Sequence, residues 1–469
     1  MTQREKPVMA MSVSTGWVVR NLFQTGVVAG LREKFRLLVI TTPTIHENLV
    51  RHGYAAGLEV VVRTDLDEPR SWRYLRQIKK KLYMDSRHSA TDAIWEKYVR
   101  RPFYQKLGGA VISGTLRLLD ARRLLSIAET ADLRLNNSEI AERILEQYGP
   151  VLLFATHASS YFEESLLHAA IRMKVPVVFM VLSWDHLSSK VVLSGRYARV
   201  LVWNPVTKSE ILQTTDAYAP EQIEVVGVPQ FDCYAERPSI SYEEWCRKYG
   251  LDPTRRTIVF STMPQVRHDQ QHIVIEGLLD AIRLERELPA ALQVLIKCHP
   301  FDNTNKYDFL LARGYPVGIC RSTLPVGAVQ DEWFPSAEEM YVSRDALYFC
   351  SVNVNIFSTV TLEAAFLDKP IVHIAYDPYP VENRIPCREY YNFDHFRNIT
   401  ASGASILVER DADLAGAIRT SLECPEQRAA NRRVLVQEYF HDVRTSAAAT
   451  VVARIGEAAR ELPDRGDAR

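Results

Sequence analysis

The chain has no excess of charge of either sign, no long apolar run and no grouped cysteines, and each absence removes a class of function. Its 469 residues carry 57 Lys+Arg and 57 Asp+Glu, so no global field draws it to nucleic acid or a charged surface. Seven cysteines stand singly (Cys233, Cys246, Cys298, Cys320, Cys350, Cys387, Cys424), without CxxC or His-flanked spacing. That fits thiols in a reducing compartment and argues against a disulfide framework or structural zinc. No run approaches about 18 uninterrupted apolar residues, so no span of a bilayer is expected. Arg4, Glu5 and Lys6 are followed by no long apolar core, and no signal peptide is expected. A cytoplasmic protein is the consequent expectation. GxGxxG, GxxxxGK[ST] and GxSxG are missing, which removes the dinucleotide, P-loop and commonest hydrolase readings. Asp411 and Asp413 form DAD, but late in the chain and opening a helix, where capping explains them better than a metal.

What is present is 47% apolar and 24% charged, an ordinary globular composition in a chain long enough for two domains. Apolar strand-like runs alternate with amphipathic helical ones, the pattern of parallel α/β sheets. Strands are expected at 8–13, 36–41, 59–63, 151–155, 175–182, 200–203 and 224–228. Between Pro69 and Asn136 the pattern is helical only, an insertion in the first domain. The stretch Val226–Trp245 has two prolines and no strong period, and reads as a linker. A second series follows, with strands expected at 257–261, 293–297, 346–356 and 370–375. The expected fold is therefore α/β, two doubly wound Rossmann-like domains facing a cleft, over 1–235 and 236–446, with a closing helix in 447–469. In such folds ligands bind at the carboxyl ends of the strands.

The richest of those strand exits is FSTVTLEAAFLDKPIVHIAYD, Phe357–Asp377. A helix opening at a strand end presents free N–H groups and partial positive charge, which suits phosphate. Ser358, Thr359 and Thr361 add hydroxyls, and Glu363 lies a turn further in, within reach of a ribose. A capping box would place Glu or Gln at Thr361 or Leu362, so Glu363 is not evidently capping; a plain cap with a solvated glutamate is the competing reading. STMPQVRHD supplies Arg267 and His268, KCHP supplies Lys297 and His299, and the loop 375–380 supplies Asp377. Lys297, Arg267 and the helix start, if they converge, would hold a diphosphate without a metal.

The first half offers two loops. ATHASSYFEE places His157, Ser159 and Ser160 at a helix start, with Glu163 and Glu164 read as complements of the helix dipole. LSWDHLSSK sets out Trp184, Asp185, His186 and Lys190. Trp184 could stack on a sugar or base, or simply pack with Asp185 as a cap. His157, Asp185 and His268 are open candidates for a general base.

Together, SWDHLSSK (183–190), VVGVPQFD (225–232), KCHP (297–300) and FSTVTLEAAFLDKPIV (357–372) resemble the two-domain GT-B glycosyltransferase superfamily. Within it they are similar to bacterial surface-carbohydrate transferases related to CDP-glycerol glycerophosphotransferases. The resemblance implies a nucleotide-diphospho donor on the C-terminal domain, an acceptor on the N-terminal one, and a closing helix packed back on the first domain. By position, Glu363 would bind ribose, Ser358, Thr359 and Thr361 the diphosphate, and Lys297 and His299 the phosphates or the transferred group. Glycerophosphotransferases usually show Asp where this chain has Glu363, which favours a sugar. The expected function is metal-independent transfer of a sugar from a nucleotide-sugar, with no separate cofactor, to a cell-surface polysaccharide or lipid-linked glycan. A CDP-glycerol-type polyol-phosphate transferase, a nucleotide-sugar 2-epimerase and a non-catalytic subunit are the alternatives.

Arg70–Tyr83, RSWRYLRQIKKKLY, is locally basic, and Trp72, Leu75, Ile78, Leu82 and Tyr83 share one helical face. Such a helix can lie on an anionic membrane, on the inner face of the plasma membrane here, or pack on the sheet with its charges in water.

Overall fold

The computed structural model describes residues 6–99, 121–158, 160–189, 193, 195–284, 288, 291–302, 305–322, 333–440 and 445–461. These form two compact units. The first takes the described residues up to Asp92, those between 121 and Asp232, and those from Phe440 onward; the second takes 93–99 and Cys233–Tyr439.

Seven parallel strands build the first sheet: β1 (Val8–Val13), β2 (Arg36–Thr41), β3 (Glu59–Val62), β4 (Leu152–Ala155), β5 (Val177–Met180), β6 (Arg199–Val202) and β7 (Ile223–Val225). Their order is β3-β2-β1-β4-β5-β6-β7. The second sheet has β8 (Arg256–Ser261), β9 (Leu292–Lys297), β10 (Val317–Cys320), β11 (Val352–Asn355), β12 (Ile371–Ile374) and β13 (Ile406–Val408), ordered β10-β9-β8-β11-β12-β13. The central strands LLFA (β4) and VVFM (β5) are buried at every position, as sheets covered on both faces require. Both orders are doubly wound, and the direction of winding reverses between β1 and β4, and again between β8 and β11. The expected α/β class with two Rossmann-like domains is the observed one.

Two sequence expectations need correction. The run 346–356 is not one strand: Ala346–Phe349 end the helix Glu338–Phe349, and only Val352–Asn355 enter the sheet. Phe349 packs beside Trp245, so the buried face of a helix abuts a buried strand and the apolar run spans both. Strands β10 and β13 were not expected, being short, and β10 holds a glycine. At Gly318 a Cβ would come within 2.5 Å of the Tyr249 carbonyl oxygen, so close backbone approach dictates the residue there.

In the insertion, the described residues form the helices Arg70–Ser86, Ala90–Tyr98 and Ala121–Leu135. The basic segment is not a free cationic face. Lys79 is buried and pairs with Asp132, and with Glu164 at 3.2 Å. Burial works against its charge, but Glu164 and Asp132 more than reverse that and hold the ammonium. Trp72 is fully buried and donates its indole N–H to Glu164, while Lys81 pairs with Asp85 and Asp92. Lys79 is thus a core residue, and its removal alone would strand two buried carboxylates at a cost of about 3–5 kcal/mol.

Candidate functional site at the carboxyl edge of the second sheet

The exits of β8 and β11 flank the reversal of the second sheet, where ligands bind in doubly wound folds. After β11 the chain turns at Phe357, whose φ of 42° is left-handed, a conformation costing a residue with a side chain about 1–3 kcal/mol. The Phe357 ring packs against Tyr390, Phe393, His395 and Phe396, and its N–H donates to the Tyr391 hydroxyl at 3.3 Å. The surroundings therefore over-determine the turn. The helix Val360–Phe366 follows, with no side-chain cap from Thr359; the Ser358 hydroxyl accepts the Val360 N–H at 3.3 Å.

Thr361 leaves the expected phosphate-binding set. It is fully buried, donates to Asn355 Oδ1 at 3.2 Å and meets His373 Nε2 at 2.9 Å. Because its one O–H goes to Asn355, it must accept from His373. His373 then carries its proton on Nε2 and accepts on Nδ1 from the Ser405 hydroxyl at 2.9 Å. Burial pushes this imidazole down to about 3, so it stays neutral. Asn355 continues the chain to Asn353 at 2.8 Å, and Asn353 to Ser261 at 3.0 Å. A polar ladder thus runs under the turn from β13 to β8. Sequence reasoning missed it, although two asparagines in the apolar strand VNVN were its signal.

Glu363 is only 6% exposed, so it is not a solvated glutamate beside a plain cap. Its Oε2 accepts the Tyr234 hydroxyl at 2.5 Å, and Tyr234 packs edge-on to Phe366.

The neighbouring exits are held as firmly. Gln271 clamps the β8 loop by donating to the Met263 and His268 carbonyls at 2.9 and 2.8 Å and accepting the Met263 N–H at 2.7 Å. His268 is buried, and burial, helped by Arg384, pushes it down to about 4. Its Nε2 lies 3.7 Å from Asp377 Oδ1; burial raises the Asp377 carboxyl, whose Oδ2 accepts the Cys387 N–H at 2.8 Å. The His299 N–H donates to Thr262 Oγ1 at 2.8 Å, and its Nδ1 accepts the Phe301 N–H at 3.1 Å. In the neutral ring the proton is therefore on Nε2. Arg267 lies over the Trp95 ring, 5.8 Å from its centre. Lys297 ends β9, in register with Ser261 and Cys320, two strand spacings or about 10 Å from β11. The structure joins His268 to Asp377 and His299 to Thr262 by contact. Arg267 and Lys297 share the edge but are not brought into contact with the 357–363 turn.

In the first unit His157 and His186 meet edge to face, ring centres 6.1 Å apart. Asp185 accepts the Ser183 hydroxyl at 2.5 Å, and Trp184 is buried, a packed indole. Ser159 and Lys190 lie outside the described residues. Glu163 and Glu164 do not serve as solvated dipole partners. Glu164 is spent on Lys79 and Trp72, and the fully buried Glu163 accepts from Ser12 and is pushed by burial to about 7.

VVGVPQFD is structural. Gly227 has φ 79°, and a Cβ there would lie 3.1 Å from that of Ala447. Gln230 accepts from Arg20 at 2.6 Å, and Phe231 packs on Phe440. Asp232 accepts the N–H groups of Ala447 and Ala448 and the Ser446 hydroxyl at 2.8–3.0 Å, capping the helix Ala447–Glu461. Three further aspartates are also structural. Asp65 neutralises the buried Arg63, Asp411 accepts from Tyr376, and Asp413 pairs with Arg410 rather than capping.

The sequence profile of the family described as CDP-glycerol:poly(glycerophosphate) glycerophosphotransferase matches residues 193–456, more than half of the chain. No curated protein sequence matches it. Among solved structures, the chain resembles a protein assigned as a UDP-N-acetylglucosamine 2-epimerase from Listeria monocytogenes, at TM-score 0.56 and 11% identity, covering 98% of each chain. It also resembles the UDP-GlcNAc 2-epimerase of Neisseria meningitidis, solved with UDP-GlcNAc (0.54, 11%, covering 96% of this chain and 99% of that one). A third is a glycosyltransferase from Rickettsia africae (0.50, 10%, 98% and 100%). At these identities the likeness is one of fold, and the fold is GT-B.

Proposed function

Because the chain belongs to the CDP-glycerol:poly(glycerophosphate) glycerophosphotransferase family and is a GT-B transferase, we propose that it moves a sugar from a nucleoside-diphosphate donor to a cell-surface polysaccharide or lipid-linked glycan. The donor occupies the carboxyl edge of the second sheet, and no metal is needed. Glu363 carries the reading: Oε2 is anchored by Tyr234, which leaves Oε1 for a ribose hydroxyl, and Glu replaces the Asp usual in glycerophosphotransferases. Ser358, Thr359 and the N–H groups of their turn receive the diphosphate, while Arg267 and Lys297 supply positive charge to the leaving group. His157 and Asp185 are the acceptor-side bases, and His299 faces the transferred group. His268, pushed down to about 4, is too weakly basic to share that task at neutral pH. A lipid-linked acceptor sets the protein on the inner face of the plasma membrane. No helix among the described residues is long and apolar enough to cross one.

Family membership itself favours a second reading, in which the acceptor attacks phosphorus and a cytidine donor delivers a polyol phosphate. Heat denaturation with CDP, UDP, CDP-glycerol and UDP-sugars separates the two, since the true donor raises the melting point most. Stabilisation by uridine donors with sugar transfer is the expected result. Stabilisation confined to CDP-glycerol would overturn the sugar in favour of glycerol phosphate, and turnover without acceptor would identify an epimerase.

A further inference from the structure

Residues 93–99 stand in the sequence among the helices of the first half, yet they belong to the second unit. Ile94 enters the core of that unit, and Trp95, Tyr98 and Val99 pack against it. The Tyr98 hydroxyl donates to Glu389 Oε1 at 2.7 Å, and Lys97 lies 3.7 Å from the same carboxylate. The Tyr98 hydrogen bond is the main cause holding the Glu389 carboxyl below its ordinary range. Glu389 sits in the short helix Cys387–Asn392, whose Tyr390 stacks on Phe357 and whose Tyr391 accepts the Phe357 N–H. The segment is thus tied to the element that holds the 357–363 turn.

Trp95 meets the β8 exit as well. The Arg267 guanidinium lies over its ring, 5.8 Å from the centre, within the range of cation–π attraction. Arg267 also stands beside Tyr390: burial raises that phenol, and the guanidinium charge partly offsets the rise. Arg267 has no ion-pair partner among the described residues. The carboxylates of the same loops are committed elsewhere, Asp269 to Arg384 at 2.9 Å, Asp377 to the Cys387 N–H at 2.8 Å, and Glu389 to Tyr98. An arginine steadied by aromatic rings rather than by a carboxylate keeps its charge and its N–H donors for another anion.

We propose that Trp95 is a positioning residue of the donor site, fixing the Arg267 guanidinium where the donor diphosphate binds. An arginine side chain free in water gives up rotamer freedom when it meets a phosphate. One laid on an indole face has given up much of it beforehand. A carboxylate in the place of the indole would orient the guanidinium too, but would compete with the phosphate for the same donors. The inference rests on the donor reading above and adds to it a residue from the opposite half of the sequence.

The test is titration calorimetry of the full chain with UDP and with CDP, on W95F, W95L, R267A and W95L/R267A. Phenylalanine keeps a π face, whereas leucine keeps apolar packing without one. A lost cation–π contact corresponds to about 2–30-fold in Kd. W95L should therefore weaken the better-bound diphosphate by about tenfold, and W95F by no more than about threefold. R267A should lose about 10–150-fold, as for a hydrogen bond to a charged group. Adding W95L to R267A should change Kd by less than about twofold, because a residue that acts through Arg267 then has nothing to act on. Binding by W95L within twofold of wild type, W95F as weak as W95L, or additive losses in the double variant would each overturn the proposal and leave the donor reading in place. Absence of diphosphate binding by the wild-type chain overturns both.

Discussion

Glu363→Ala removes both the free Oε1 and the acceptor of the Tyr234 hydroxyl, and the two losses can be read apart. A hydrogen bond to a charged group contributes about 1.5–3 kcal/mol, so loss of the ribose contact should raise the donor Kd by about 10–150-fold. At donor held at 100 times the wild-type Kd, the wild type gains about 2.7 kcal/mol on binding. A variant weakened about thirtyfold would gain only about 0.9 kcal/mol by the same relation. The second loss is visible without ligand: Tyr234 is 5% exposed, and stranding its hydroxyl costs about 1–3 kcal/mol of stability. Tyr234→Phe is the control, since it removes the hydroxyl and leaves the carboxylate. It should keep donor affinity within severalfold. Titration calorimetry supplies Kd, and ligand-free melting supplies the structural cost. If Glu363→Ala binds the preferred donor within twofold of wild type, the ribose assignment is wrong. If Tyr234→Phe weakens the donor as much as Glu363→Ala, the glutamate acts only by holding its helix.

Asp232→Ala should lower stability by about 1–2 kcal/mol, as expected for a lost helix cap, with donor affinity unchanged; a tenfold loss of affinity at constant melting point would contradict a purely structural VVGVPQFD. His373 makes acid stability a diagnostic. Its folded-state value, about 3, lies below the ordinary 6.5, so the unfolded chain takes up a proton first and stability falls as pH drops from about 6.5 towards 3. The slope for one such group is about 1.4 kcal/mol per pH unit. His268, at about 4, adds to it between 6.5 and 4. Glu163, held near 7, acts oppositely, its stabilising neutral form losing ground as pH rises from about 4.5 to 7. Urea denaturation of His373→Asn between pH 6 and 4 should show a slope shallower by about one proton; an unchanged slope would mean that His373 takes up its proton in the fold.

The alternation of apolar strands and amphipathic helices was enough to read two doubly wound sheets, because parallel strands buried on both faces must be apolar throughout. It was not enough to separate a helix end from a strand at 346–356, where both are buried and both periods are satisfied by the same residues. The candidate site was legible only as a set of strand exits, since doubly wound topology places ligands there whatever the side chains are. Which side chains face a ligand was not. Thr361 and Ser358 look alike in FSTVTLE, yet one is committed to His373 and the other sits at the surface of the turn. Only the partner strand, twelve residues on, decides it. Lys79 misled for the same reason: its partners Asp132 and Glu164 come from helices that the local sequence says nothing about.

The 357–363 turn is set less by its own residues than by what lies beneath. Phe357 is held in a left-handed conformation that it would leave at a gain of about 1–3 kcal/mol if its ring were free, and four aromatic neighbours prevent that. The ladder from Ser405 through His373, Thr361, Asn355 and Asn353 to Ser261 ties the helix start to strands on both sides of it. Every member is buried, so breaking one link exposes no group to water and leaves its neighbours unsatisfied, which makes the arrangement all-or-none. On the proposed reading, a turn so fixed would lose little freedom on taking a diphosphate, and a binding site that needs no reorganisation spends its contacts on the ligand. The helix start that the proposal assigns to the diphosphate is therefore held in place by buried residues behind it, Asn355, His373 and Ser405, rather than by a cap of its own.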